Sequence, residues 1–159
     1  MRVNHVGEIC AQALYQSQAL FSQSDDLARH FKQAAAEELD HLAWTAERVA
    51  ALGTHTSRLA PLWWTGAFIW GSAAGMAGDR WSLGFVVETE RQVETHLAGH
   101  LERLPTADVV SRAIVDQMKR EEAEHADAAL AAGALALPAS IRRLMRAAAK
   151  VMTTVAHRV

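Results

Sequence analysis

Two Glu-x-x-His tetrads, Glu38-Leu39-Asp40-His41 and Glu122-Ala123-Glu124-His125, sit in stretches whose apolar spacing is helical. Residues three apart on a helix share one face, one turn apart. A carboxylate and an imidazole so placed can grip one metal ion together. Eleven Glu and eight His in 159 residues give about half a match by chance at this spacing, so the surroundings carry the weight. Glu38 and His41 fall on the stripe of Phe31, Ala34, Ala35, Leu42 and Thr45, the one that should face a core. A buried carboxylate is costly unless paired or bound to metal. The tetrads therefore call for helices packed side by side with charge between them.

The rest of the chain reads as such helices. Three prolines and nine glycines interrupt it, half of it is apolar, and alanine is abundant, which favours helix. The length suits a single domain, residues 1–159, with a real core. The net charge of −2 shows no basic excess and points to no nucleic-acid partner. Cys10, the lone cysteine, excludes an internal disulfide and fits a reducing compartment; we read it as a small buried residue. No signal or transit peptide is visible. The opening, Met1-Arg2-Val3-Asn4-His5, is already helix-like, which raises the expectation of a missing N-terminal segment.

In order, a first helix runs from about Asn4 to Phe21 and carries Glu8 in its apolar part. Ser22-Gln23-Ser24-Asp25 is a polar turn with capping chemistry. A second helix runs from about Asp26 to Leu52 and closes at Gly53. Residues Leu59 to Gly78 carry no charge and hold Trp63, Trp64, Phe68, Ile69 and Trp70. Their length is about that of a membrane span. A lone span would put the two tetrads on opposite sides of a bilayer, so we read a buried or interfacial crossover helix. Asp79-Arg80-Trp81-Ser82 reads as a break. A third helix follows from about Leu83 to Leu104, and a fourth from about Asp108 to Ala132, closed by Gly133. The last segment, 136–159, holds an amphipathic helix from Pro138 to Val159, with Pro near its first position. Its charges, Arg142, Arg143, Arg146, Lys150 and Arg158, are all basic.

Two helical hairpins joined by a long crossover make an all-α, ferritin-like four-helix bundle. The levels of the acidic residues test it. Glu8 lies about fifteen residues before the first turn and Glu38 about fifteen after, so the hairpin sets them level. Glu122 lies about sixteen residues after the second turn, level with Glu90. Glu94 is roughly 6 Å off level at about 1.5 Å per residue and stays in reserve. One Glu from each of two helices, Glu8 and Glu90, thus joins Glu38/His41 and Glu122/His125. Bundles that hold two irons or two manganese ions carry this constellation. Its donors suit hard-to-borderline ions.

Four stretches now point to a family: Arg2-Val3-Asn4-His5-Val6-Gly7-Glu8, Glu37-Glu38-Leu39-Asp40-His41-Leu42, Asp79-Arg80-Trp81-Ser82-Leu83-Gly84-Phe85 and Glu121-Glu122-Ala123-Glu124-His125. They resemble the demethoxyubiquinone hydroxylases, the Coq7 family, over essentially the whole chain. The family's usual N-terminal extension is not visible. The resemblance implies metal and catalytic roles for Glu8, Glu38, His41, Glu90, Glu122 and His125. Glu38 and Glu122 would bridge two iron ions, Glu8 and Glu90 would be terminal, and each His would bind one iron. It also implies a mono-oxygenase of ubiquinone biosynthesis that spends O2 on the ring of a demethoxy-quinone. Electrons would come from outside, with NADH as the reductant. Other ubiquinone-biosynthesis proteins or a second copy would be partners.

So apolar a substrate lives in a bilayer, and the uncharged crossover and basic terminal helix suit an anionic membrane surface. The expected place is therefore peripheral, on the cytoplasmic face of the cell membrane in a bacterium. A core-packing role for the terminal helix is the alternative. Two other functions stay open: a ferroxidase or iron-storage protein on the same bundle, and a metal-free helical membrane adaptor. His5, His96 and His100 read as surface or packing residues, with a supporting or redox role as the alternative.

Overall fold

The computed structural model describes residues 1–158. Among them are six helices and no strand: α1 Arg2–Phe21, α2 Asp25–Ala51, α3 Ala60–Met76, α4 Asp79–Arg103, α5 Val109–Ala131 and α6 Ala139–Ala156. The Ser24 hydroxyl caps α2 by accepting from the Leu27 amide, with Asp25 and Asp26 in the first turn, where acids favour the helix dipole. The Asp108 carboxylate caps α5 by accepting from the Ser111 amide at 3.0 Å. Gly53 and Gly133 take positive φ just beyond α2 and α5, as helix-closing glycines do.

Two boundaries differ from expectation. The break falls at Ala77–Gly78, not at Asp79–Ser82. Gly78 has φ 110°, which only glycine adopts freely, and residues 79–82 form the first turn of α4. Asp79 there accepts from the Gln23 amide at 2.8 Å, tying α4 to the α1–α2 turn. At the other end, Pro138 stands just outside α6, and the helix stops at Ala156; Val159, included in the expected helix, lies outside the described residues.

Side-chain bonds give the helix directions. Glu8 meets His41, and Gln12 donates to the Ala35 carbonyl, so α1 and α2 are antiparallel. Arg91 with Asp127 and Arg112 with the Leu101 carbonyl make α4 and α5 antiparallel. Tyr15 with Glu90 and Gln18 with Ser82 join α1 to α4. His41 with Glu121 and Arg48 with Ser111 join α2 to α5. Helix α3 runs alongside α1 from Trp63 near Cys10 to Gly75 near Phe21. It returns the chain to the far end, so α2 and α4 point the same way.

The contact of α3 with α1 uses small residues. Gly71, Ala74 and Gly75 are buried, while Leu62, Ile69 and Met76 are exposed. A Cβ on Gly71 would come within 2.9 Å of the Leu14 carbonyl oxygen. The crossover is thus a surface helix with one packed face. Among the described residues no helix is long and apolar enough to cross a membrane.

Apolar clusters lie on both sides of the acidic level. One holds Tyr15, Phe31, Leu83 and Val86; the other holds Leu97, Val115 and Met118. A third, of Ala74, Phe85, Leu137 and Met145, seats α6. The segment before α6 is pinned by the Leu135 amide donating to the Arg80 carbonyl at 2.8 Å. It passes so close that a Cβ on Gly84 would fall 2.0 Å from the Leu135 carbonyl oxygen. Gly84→Ala should therefore destabilise the protein in urea unfolding, because overpacking costs about 1–3 kcal/mol against about 1 kcal/mol of helix propensity gained. Gly66→Ala, whose Cβ meets open space, is the control and should gain stability. Equal stabilities would show that residues 134–137 are not held against α4.

Candidate metal centre

The bundle brings the six expected residues to one level. Glu38 is 0%, Glu122 1%, and Glu8, Glu90 and His41 each 2% exposed. Glu8, Glu38, His41 and Glu122 each place one donor atom within 4.8 Å of the others. His41 Nδ1 lies 2.8 Å from Glu38 and 3.5 Å from both Glu8 and Glu122. His125 Nδ1 lies 3.0 Å from Glu38 and 3.7 Å from Glu122. Glu90 closes the group from α4, where its Oε1 accepts from the Tyr15 hydroxyl at 2.7 Å. Glu94 instead pairs with Arg91 at 2.9 Å near the surface.

Two carboxylates, Glu38 and Glu122, each approach both histidines. Glu8 approaches His41 alone. The cluster is thus divided into a His41–Glu8 side and a His125–Glu90 side around a shared middle.

The electrostatics are severe. Burial, then the charges of Glu122 and Glu38, pushes the Glu8 and Glu90 carboxyls well above their ordinary range. Burial also opposes ionisation of Glu38, but hydrogen bonds from His125 and His41 outweigh it and hold that carboxyl at about 2. Burial would lower both imidazoles; hydrogen bonds to Glu122 and Glu38 overcome it, raising His41 far above its usual range and His125 to about 11. The two imidazoles are thus the positive partners that Glu38 finds inside the cluster.

The donor set fits metal ions. Glu38 Oε1, Glu122 Oε2 and His125 Nδ1 are buried and none has a well-aligned hydrogen bond, although they converge within ion-pair distance. Four carboxylates balance two divalent cations. Oxygen and imidazole donors without a thiolate suit iron or manganese. Cys10 stands outside the group, its Sγ facing the Trp63 carbonyl at 3.9 Å; burial, then the Glu8 charge, pushes its thiol up to about 12.

A family model described as "Ubiquinone biosynthesis protein COQ7" matches residues 1–156. The chain belongs to the COQ7 family. Relatives named 3-demethoxyubiquinol 3-hydroxylase are similar over its full length. That of Polaromonas naphthalenivorans is 65% identical over 159 residues, all of this chain and 76% of the relative. That of Cupriavidus pinatubonensis is 59% identical, covering 100% of this chain and 77% of the relative. That of Polynucleobacter asymbioticus is 55% identical, covering 100% and 76%.

Three contacts were not foreseen from the sequence. Tyr15, the chain's single tyrosine, stands two turns after Glu8 on the same face, a spacing that could have marked it. Glu121 Oε2 lies 2.5 Å from His41 Nε2, and Glu37 Oε2 lies 3.1 Å from His125 Nε2. The expectation for His96 and His100 was packing; both face Asn4 at 3.4 and 3.1 Å, and burial first, then nearby cations, pushes His100 down to about 4. His5 is buried.

The raised carboxyls give a pH signature in chelator-treated protein. Glu8 and Glu90 keep their protons above the ordinary 4.5 when folded. The stability this contributes is complete below 4.5 and is lost as pH rises through the folded values. Glu8→Gln and Glu90→Gln escape that loss. Their thermal midpoints should exceed wild type at neutral and alkaline pH and converge with it in acid. A midpoint difference independent of pH would refute the assignment of the raised groups.

Proposed function

We propose that this chain is a 3-demethoxyubiquinol 3-hydroxylase whose single ferritin-like domain holds two iron ions between its four central helices. The observation that carries the reading is the six-residue Glu/His cluster between the helices, buried but for the edge of His125, in a chain 55–65% identical to relatives of that name. Glu38 and Glu122, which approach both histidines, would serve both ions. Glu8 and His41 would complete the donors on one side, Glu90 and His125 those on the other. Two irons bound there supply the reduction of O2 that ring hydroxylation requires. The chain's own residues hold donors on rigid helices, seat the site between two apolar clusters, and fix Glu90 through the Tyr15 hydroxyl. A cavity of about 160 Å³ reaches His125 and Tyr15 between α2 and α5.

The quinone-type lipid and the electrons both come from outside the chain. The sequence has no G-x-G-x-x-G fingerprint, so the chain itself brings no nucleotide, and the family resemblance makes NADH the external reductant in our reading. A quinone with a long tail is delivered at a membrane. Exposed Leu62, Ile69 and Met76 on α3 and Leu144 and Val151 on α6 form apolar surface for a peripheral contact, placed at the cytoplasmic face of a bacterial membrane. The same surface suits a second copy or another protein of ubiquinone biosynthesis. The iron-storage and adaptor readings gain nothing from the relatives' names.

Supply of the iron-loaded protein with a demethoxy-quinone, NADH and isotopically labelled O2 should yield one labelled ring hydroxyl. Glu90→Ala should lose iron and product; Glu94→Ala should keep both. Uptake of many irons per chain with the quinone untouched would replace the hydroxylase with a ferroxidase.

The membrane contact has its own test. Arg142, Arg143 and Lys150 are exposed, whereas Arg146 is partly engaged with Glu88 at 3.2 Å. Changing Arg142, Arg143 and Lys150 to Gln should weaken binding to anionic vesicles by about 1 kcal/mol per charge. Added salt should weaken wild-type binding in the same direction. Binding indifferent to both would leave α6 as a packing helix.

A further inference from the structure

The tetrads belong to a longer repeat. Gln33-x-x-x-Glu37-Glu38-x-x-His41 on α2 recurs as Gln117-x-x-x-Glu121-Glu122-x-x-His125 on α5. Every named residue of the repeat has the same kind of contact in both copies. Gln33 donates to Glu37 Oε1 at 3.0 Å, and Gln117 to Glu121 Oε1 at 2.6 Å. The free oxygens then cross the interface. Glu37 Oε2 meets His125 Nε2, and Glu121 Oε2 meets His41 Nε2. Because α2 and α5 are antiparallel, one register brings 37 beside 125 and 41 beside 121, and both bonds close together.

We infer that Glu37 and Glu121 are reciprocal positioning residues of the metal centre, each holding the outer ring N–H of the histidine contributed by the other helix. The inference rests on the metal reading above. A carboxylate only accepts, so the ring nitrogen facing it carries the hydrogen. With Nε2 committed to Glu37 or Glu121, Nδ1 is the nitrogen left to face the cluster, where it already points. The crossed bonds also make each histidine's aim depend on both helices. A ring held by its own helix alone could rotate without disturbing the partner.

The two arms differ. The Glu121 side chain is 32% exposed and Glu37 51%. Glu37 and Gln33 also line the cavity of about 160 Å³ that reaches His125. Loss of Glu37 should thus loosen the His125 position while leaving the His41 position intact, and loss of Glu121 should do the reverse.

Cobalt(II) titration of the metal-free protein, read by equilibrium dialysis and by visible absorption, tests this. Wild type should bind two ions per chain. Glu37→Leu and Glu121→Leu should each weaken one ion by about 10–100-fold and alter its absorption bands. Glu37→Gln and Glu121→Gln should remain near wild type, because an amide oxygen still accepts the N–H. Leu variants with wild-type affinities and bands would overturn the inference and leave the metal reading standing. No cobalt bound by wild type would sink the metal reading itself, and this inference with it. Nitrogen NMR of the histidine rings in zinc-loaded wild type needs no variant to fold. His41 and His125 should be protonated at Nε2, and protonation at Nδ1 of either ring would equally overturn the inference.

Discussion

Four carboxyl groups inside one helical bundle cannot all ionise without compensating positive charge. Glu8, Glu38, Glu90 and Glu122 are all essentially without solvent, where an unpaired ion costs several kcal/mol even after relaxation. The two imidazoles and the Tyr15 hydroxyl meet part of that demand, but they leave Glu38 Oε1 and Glu122 Oε2 without a well-aligned hydrogen bond. A stability-driven sequence would fill this space with leucine. Retention of charge at this level makes sense as a binding site whose ligands supply what the side chains lack.

That demand explains the chain path. The tetrad helices α2 and α5 must lie side by side and antiparallel for Glu38 and Glu122 to meet between His41 and His125. The hairpins α1–α2 and α4–α5 alone leave their relative direction open. Helix α3 settles it by crossing the length of α1 and delivering α4 at the end where Gln23 awaits Asp79. The small residues Gly71, Ala74 and Gly75 let it lie against α1, and its outer face keeps the apolar side chains that a buried crossover would have hidden.

Legibility in the sequence followed physical range. The tetrads, the two hairpins and the burial of Glu90 rather than Glu94 are consequences of helical spacing and rise, so counting residues reached them. The caps at Ser24, Gly53 and Gly133 were equally local. The start of α4 was missed because Asp79-Arg80-Trp81-Ser82 has loop-like composition, whereas Gly78 alone takes the left-handed backbone that breaks the chain. By sequence Arg146 is one more basic charge of the last helix; its partner Glu88 is 58 residues away and no periodicity announces it. Glu37 and Glu121 stood in plain view beside the tetrads, yet their roles depend on which oxygen crosses to which helix, and spacing on one helix says nothing of that.

The repeat shared by α2 and α5 is nearly symmetric, but the surroundings are not. His41 is sealed at 2% exposure, between Glu121 and the Trp44 ring 5.5 Å away. His125 is 13% exposed and borders the cavity with Tyr15 and Glu37. Helix α1 and helix α4 also contribute unequally, since Tyr15 restrains Glu90 while Glu8 has only His41. A centre with one sealed and one approachable position can keep its metals while a small reactant enters from one side. That inequality suits chemistry on an external reactant, which has to reach the centre from one side.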